Sequence, residues 1–107
     1  MRVLFDRKVE DYLTELIEIL YEKEYFGFKE SAYKYVDELI DSITSSINIT
    51  QKKQAPEYFS KYGKELYYAV FKKNDNTQWY VFFNYENEIY FIRYIGSNHT
   101  IAQYMIP

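Results

Sequence analysis

Apolar residues recur every three or four positions over the first half of the chain and every second position over the last third. Val9, Tyr12, Leu13, Leu16, Ile17 and Leu20 share one side of a helix, and Glu10, Asp11, Glu15, Glu18 and Glu22 lie mostly on the other. Asp6 can cap that helix, and Gly27 offers a stop because glycine tolerates a left-handed cap. A second stripe begins near Glu30 and runs through Ala32, Val36, Leu39, Ile40, Ile43 and Ile47, backed by Lys34, Asp37, Glu38 and Asp41. The short link around Gly27-Phe28-Lys29 makes the pair an antiparallel hairpin. Val3-Leu4-Phe5, ahead of it, reads as a brief edge strand.

Residues 50–63 form an irregular connection. Ala55-Pro56 disfavours helix at Ala55, Glu57 to Lys61 can form one helical turn, and Gly63 closes it. Three strands follow: Leu66 to Lys72, Gln78 to Tyr85 and Glu88 to Ile95. A polar turn at residues 73–77 separates the first two. The tight turn Glu86-Asn87 separates the last two, with Asn87 able to take positive φ. Gly96-Ser97-Asn98 ends the sheet, and Thr100 to Met105 makes a last helical turn or an extended tail. The expected fold is α+β: a helical hairpin, with or without a short leading strand, on a three- to four-stranded antiparallel sheet in one domain.

A two-residue loop at Glu86-Asn87 fixes a register. It sets Tyr85 opposite Glu88, Phe83 opposite Tyr90, Val81 opposite Ile92 and Tyr80 opposite Arg93. One face then carries Trp79, Val81, Phe83, Tyr90, Ile92 and Tyr94. It has no charge and belongs under the helices, where each large side chain contributes roughly 1.5–3 kcal/mol. The other face carries Tyr80, Phe82, Asn84, Ile89, Phe91 and Arg93, and Tyr68 and Lys72 join it if the first strand alternates in step. Such a face suits RNA, a peptide or a second copy of the chain. It is equally a solvated face on which Arg93 stacks on Tyr80. The placement of Arg93 rests on that register.

Composition narrows the classes. At 107 residues the chain is one ordinary domain, and without cysteine it has neither disulfides nor thiolate metal sites. No apolar run approaches a membrane span and the first residues lack a signal region, so a cytoplasmic protein is expected. The net charge of −3 divides into −5 over residues 1–51 and +2 over residues 52–107. That balance argues against an avid, sequence-independent nucleic-acid binder. The fourteen Tyr and eight Phe point to an aromatic core under a small sheet. One histidine with scattered carboxylates lacks metal-ligand spacing, and no cofactor motif is present.

The order strand, helix, helix, loop, three meandering strands resembles the RelE/ParE superfamily of bacterial type II toxin–antitoxin toxins. The resemblance is carried by the hairpin Val9 to Ile47 and the loop Ala55-Pro56-Glu57-Tyr58-Phe59. The runs Trp79 to Phe83 and Ile89 to Ile95, followed by Gly96-Ser97-Asn98-His99, complete it. It implies a toxin neutralised by a cognate antitoxin. RelE-like members cut mRNA in the ribosomal A site, whereas ParE-like members inhibit DNA gyrase without a nuclease site. The chain departs from the nuclease pattern at Gln78, Ser97, Asn98 and Thr100, where arginines are usual. Tyr104 falls where such toxins carry a C-terminal tyrosine.

RNA cleavage by 2′-OH attack needs a proton acceptor, a proton donor and cations for the developing phosphate charge. His99, Tyr104 and Arg93 are the catalytic candidates. Lys72, Lys73, Tyr80 and Asn98 are the candidates for holding substrate. A histidine just past a strand is also a common hydrogen-bonding residue of a turn. Three readings follow: a metal-independent mRNA endonuclease, a non-enzymatic inhibitor or degenerate relative, and a small interaction or homodimeric domain.

Overall fold

The computed structural model describes residues 1–23 and 27–106. In chain order the elements are β1 (Arg2–Phe5), α1 (Arg7–Glu22), α2 (Lys29–Ser46), β2 (Lys53–Gln54), a 3₁₀ segment (Glu57–Tyr62), β3 (Tyr67–Asn74), β4 (Thr77–Glu86), β5 (Ile89–Ser97), α3 (Asn98–Ile101) and a last 3₁₀ turn (Ala102–Tyr104). The α+β class is as expected, but the sheet is not the antiparallel one of three or four strands. It has five strands in the order β1-β5-β4-β3-β2, and β1 runs parallel to β5. The helical hairpin carries the chain from β1 at one edge of the sheet to β2 at the other, and the antiparallel run β2-β3-β4-β5 brings it back beside β1. β2 arises within the supposedly irregular connection, where Lys53 and Gln54 pair with Tyr68 and Tyr67.

Both helical stripes are buried as their spacing requires. Val9, Leu13 and Leu16 of α1 and Val36, Leu39, Ile43 and Ile47 in and after α2 join Ala69, Phe71, Trp79, Val81, Phe83, Tyr90, Ile92 and Ile95 in one core. Asp6 caps α1, its side chain accepting from the Lys8 amide at 2.9 Å. The helix ends at Glu22, short of Gly27, and no glycine takes positive φ among the described residues. Trp79 donates its indole N–H to the Tyr35 hydroxyl at 2.9 Å, tying α2 to the sheet.

The β4–β5 register differs from expectation in two ways. The loop residues are Asn87 and Glu88, with φ of 52° and 64°, so Tyr85 faces Tyr90 and Phe83 faces Ile92. Positive φ at both central positions is the geometry whose twist matches the flanking strands. A slip by two residues keeps every side chain on its face, because strand side chains alternate with period two. The second difference does not preserve faces. Phe82 faces Tyr94, which leaves Arg93 as an extra residue in a β-bulge, and Val81 then faces Ile95 and Tyr80 faces Gly96. Beyond the bulge the alternation is inverted. Tyr94 therefore leaves the helix side and Ile95 replaces it, which puts an aliphatic chain rather than a phenol beneath the helices. Replacing Glu88 with glycine should relieve its left-handed backbone and raise stability by about 0.5–1 kcal/mol, read as a higher urea midpoint with unchanged slope.

The outer sheet face, expected to be open, is half covered. The 3₁₀ segment and the C-terminal turn build a second core there from Phe59, Leu66, Phe82 and Ile101, flanked by Tyr62, Tyr68, Tyr80, Tyr94 and Tyr104. Phe59 stacks on Phe82 with ring centroids 4.2 Å apart. Gly96 permits this cover, since a Cβ there would lie 3.1 Å from the Ile101 side chain.

Candidate functional site

The outer face divides into a covered half near Tyr80 and Tyr94 and an uncovered half at the β4–β5 hairpin end. The uncovered half forms a groove of about 1050 Å³ between the 54–67 segment and the hairpin. Asn84, Glu86, Ile89, Phe91 and Arg93 line it from the sheet, and Pro56, Glu57, Phe59 and Ser60 line it from the facing wall.

Arg93 is half-buried at the inner end of this groove. Its Nε donates to the Tyr62 carbonyl at 3.3 Å, and its guanidinium lies 5.4 Å from the Phe91 ring centroid rather than on Tyr80. A Cβ at Gly63 would sit 3.2 Å from the Leu66 side chain, a tight contact, and 3.5 Å from Arg93 Nε, an ordinary one. Asn84 also holds the 3₁₀ segment's exit, donating to the Lys64 carbonyl at 2.9 Å.

His99 and Asn98 lie elsewhere. Asn98 accepts from the Gln78 amide at 2.9 Å and donates to the Asn76 carbonyl at 3.2 Å. His99 Nε2 bonds Thr77 Oγ1 at 3.0 Å. Both residues latch the C-terminal turn to the β3–β4 hairpin. Four strand residues lie between Arg93 and the start of α3 at Asn98, a span of roughly 16 Å at about 3.3 Å per residue step.

Tyr104 stacks on Tyr58 with centroids 3.8 Å apart and rings within 4° of parallel, and Lys61 Nζ lies 4.0 Å from the Tyr58 ring centroid. A hydrogen bond with Lys61 holds the Tyr58 phenol below its ordinary value, while the hydrogen bond with Tyr58 raises Tyr104. Sequence reasoning missed Tyr58 and Lys61. Their three-residue spacing in a one-turn helix was the available signal, since it sets the two on one side of a 3₁₀ segment.

The lysines do not converge either. Lys72 is exposed on the outer face and paired with Asp75 at 3.3 Å. Lys73, two residues past Phe71, alternates to the helix side, and the pairing register shifts between Lys72 and Asn74. There it bonds Glu38 at 3.0 Å and lies 4.7 Å from the Tyr35 ring centroid. Tyr80 is half-buried in the outer core beside Tyr68. The candidates thus occupy five places: the groove, the β3–β4 hairpin, the outer core at Tyr80, the Tyr58–Tyr104 stack and the α2 side. Among the described residues no cluster of His, Asp and Glu is arranged to hold a metal, and no helix is long and apolar enough to cross a membrane.

The Tyr94 phenol, stacked on Tyr62 at 4.0 Å, is raised well above its ordinary value, chiefly by burial and then by Tyr62. The fold favours its neutral form. Its contribution is therefore complete below pH about 10, where an unfolded tyrosine ionises, and is lost as pH rises from there toward the folded value. Unfolding free energy should fall steadily above pH about 10, and Tyr94→Phe should flatten that fall. An equal slope in the variant would contradict this assignment.

Compared with known protein families, curated proteins and solved structures, the chain matches none.

Proposed function

We propose that the chain is a RelE/ParE-like toxin that acts by binding a protein target, not by cutting RNA. The element order strand, helix, helix, then the strands β2–β5 is compatible with the family reading. The observation that carries the mode of action is that Arg93, His99 and Tyr104 are each engaged by a different residue, the Tyr62 carbonyl, Thr77 and Tyr58. General acid–base cleavage needs donor, acceptor and cation within hydrogen-bond reach of one phosphate. The groove around Arg93 also carries Glu57, Glu65 and Glu86, which oppose a polyanion. A protein target such as DNA gyrase, and a cognate antitoxin as neutraliser, fit a surface of this kind.

One observation favours the nuclease alternative. Tyr58, Lys61 and Tyr104 combine an acidified phenol with a cation and a second phenol. On that reading the ribosome and mRNA would meet the C-terminal turn instead of the groove.

Induced expression in a bacterial host tests the proposal. Growth should arrest with the wild-type chain and equally with the double variant His99→Ala/Tyr104→Phe. Harmless wild-type expression would contradict the toxin reading, and arrest lost in the double variant would contradict the binding mode.

A further inference from the structure

We infer that the groove at the β4–β5 hairpin end receives an extended, Lys/Arg-bearing segment of a partner protein; the inference rests on the protein-binding reading above. Three features of the groove specify that occupant. Its size, about 1050 Å³, accommodates several residues of chain. Its floor mixes the polar Asn84, Glu86 and Arg93 with the apolar Ile89 and Phe91, and Phe91 remains 36% exposed. A side chain of that size on the uncovered half of the face leaves apolar area for a partner to bury.

Charge decides the sign of the partner. Glu57, Glu65 and Glu86 line the groove and are exposed, and none enters any of the ion pairs found among the described residues. Arg93 is the single cation of the lining, and its Nε already donates to the Tyr62 carbonyl. Lysine or arginine side chains above these carboxylates gain charge-assisted hydrogen bonds in a half-desolvated site. An acidic segment or a phosphate backbone would face three carboxylates for one engaged guanidinium. An extended conformation presents alternate side chains to one surface, which lets apolar residues meet Phe91 while basic ones reach the rim.

The test uses the full chain and a fluorescein-labelled peptide, Lys-Phe-Lys-Val-Lys-Phe-Lys, with a mirror peptide in which glutamate replaces lysine. Anisotropy should report binding of the basic peptide and not of the acidic one. Glu57→Gln/Glu65→Gln/Glu86→Gln should weaken binding by about tenfold or more, equivalent to about 1.4 kcal/mol. Glu15→Gln/Glu22→Gln/Asp37→Asn removes the same charge from the helices and should change affinity by less than about twofold, since exposed charges beyond a Debye length are screened. The substituted groove residues are exposed, and an unchanged thermal midpoint verifies that the variant folds. Phe91→Ala, read in the same assay, should also weaken binding. Equal loss in the helix variant, tight binding of the acidic peptide, or no binding up to about 1 mM would each overturn the inference. Growth arrest that persists in the groove variant alongside failed peptide binding would discard the groove while leaving the protein-binding reading intact. Arrest lost only in the His99→Ala/Tyr104→Phe variant would discard that reading instead.

Discussion

Phe59→Ala is expected to lower the free energy of unfolding by about 3–5 kcal/mol. Phe59 is fully buried although it belongs to a segment only six residues long. Its ring stacks on Phe82 at 4.2 Å and meets Tyr58 edge-on at 5.0 Å, with Tyr94 6.1 Å and Tyr62 6.4 Å away. A 3₁₀ turn of that length has little stability of its own. Its seat on the sheet therefore depends on tertiary packing, with the Phe59 ring at its centre. Truncation leaves a cavity against Phe82 and frees the wall that defines the groove and carries Tyr58 and the Tyr62 carbonyl. In a domain of roughly 5–15 kcal/mol total stability, such a loss takes a large share. Urea denaturation should show a lower midpoint, and the basic peptide should bind more weakly in native buffer. A variant as stable as wild type would mean that the segment is held by other contacts.

Ile43→Ala, on the opposite side of the sheet, should cost about 2–5 kcal/mol. Ile43 is fully buried on α2, in the core that includes Trp79, Val81 and Ile92. The helices fold mainly because this stripe is covered, so the loss should appear as earlier melting of helical circular dichroism together with the sheet signal. Phe59 and Ile43 belong to separate cores divided by the sheet. Their effects should therefore add to within about 0.5 kcal/mol in the double variant. Phe59 and Phe82 touch, and a cycle on that pair should show clear coupling. Strong coupling between Phe59 and Ile43 would contradict the two-core description.

The helical half of the fold was legible because its information is local. A stripe at three- and four-residue spacing specifies one face whatever the partner, and every residue of both stripes packs where that spacing directs. The sheet was legible in its strands but not in its pairing. Alternation says which residues share a face only until a bulge intervenes, and nothing in Ile92-Arg93-Tyr94-Ile95 marks Arg93 as the extra residue. The inversion becomes visible only when Tyr94 must pack on Tyr62 and Ile95 under the helices. The parallel pairing of β1 with β5 is likewise non-local, since four short residues match several edges equally well.

The candidate site was less legible than the fold, because nearness in sequence was a poor guide to nearness in space. Arg93, His99 and Tyr104 follow one another closely along the chain, yet a strand end and a tight turn send them to different neighbours. Asn98 and His99 both bond the β3–β4 hairpin, at Gln78, Asn76 and Thr77. The groove wall came from a segment read only as a connection. Its aromatic residues at 58, 59 and 62 carry the information that a spacing argument over so short a run does not resolve.

On the binding reading the chain leaves RNA intact, with Arg93, His99 and Tyr104 each engaged by a different residue. Mapping the 5′ ends of cellular mRNA after induced expression separates this reading from the nuclease one. The end pattern should match the empty-vector control while growth is arrested. New ends within coding sequences that disappear in the His99→Ala/Tyr104→Phe variant would show instead that the chain cuts RNA.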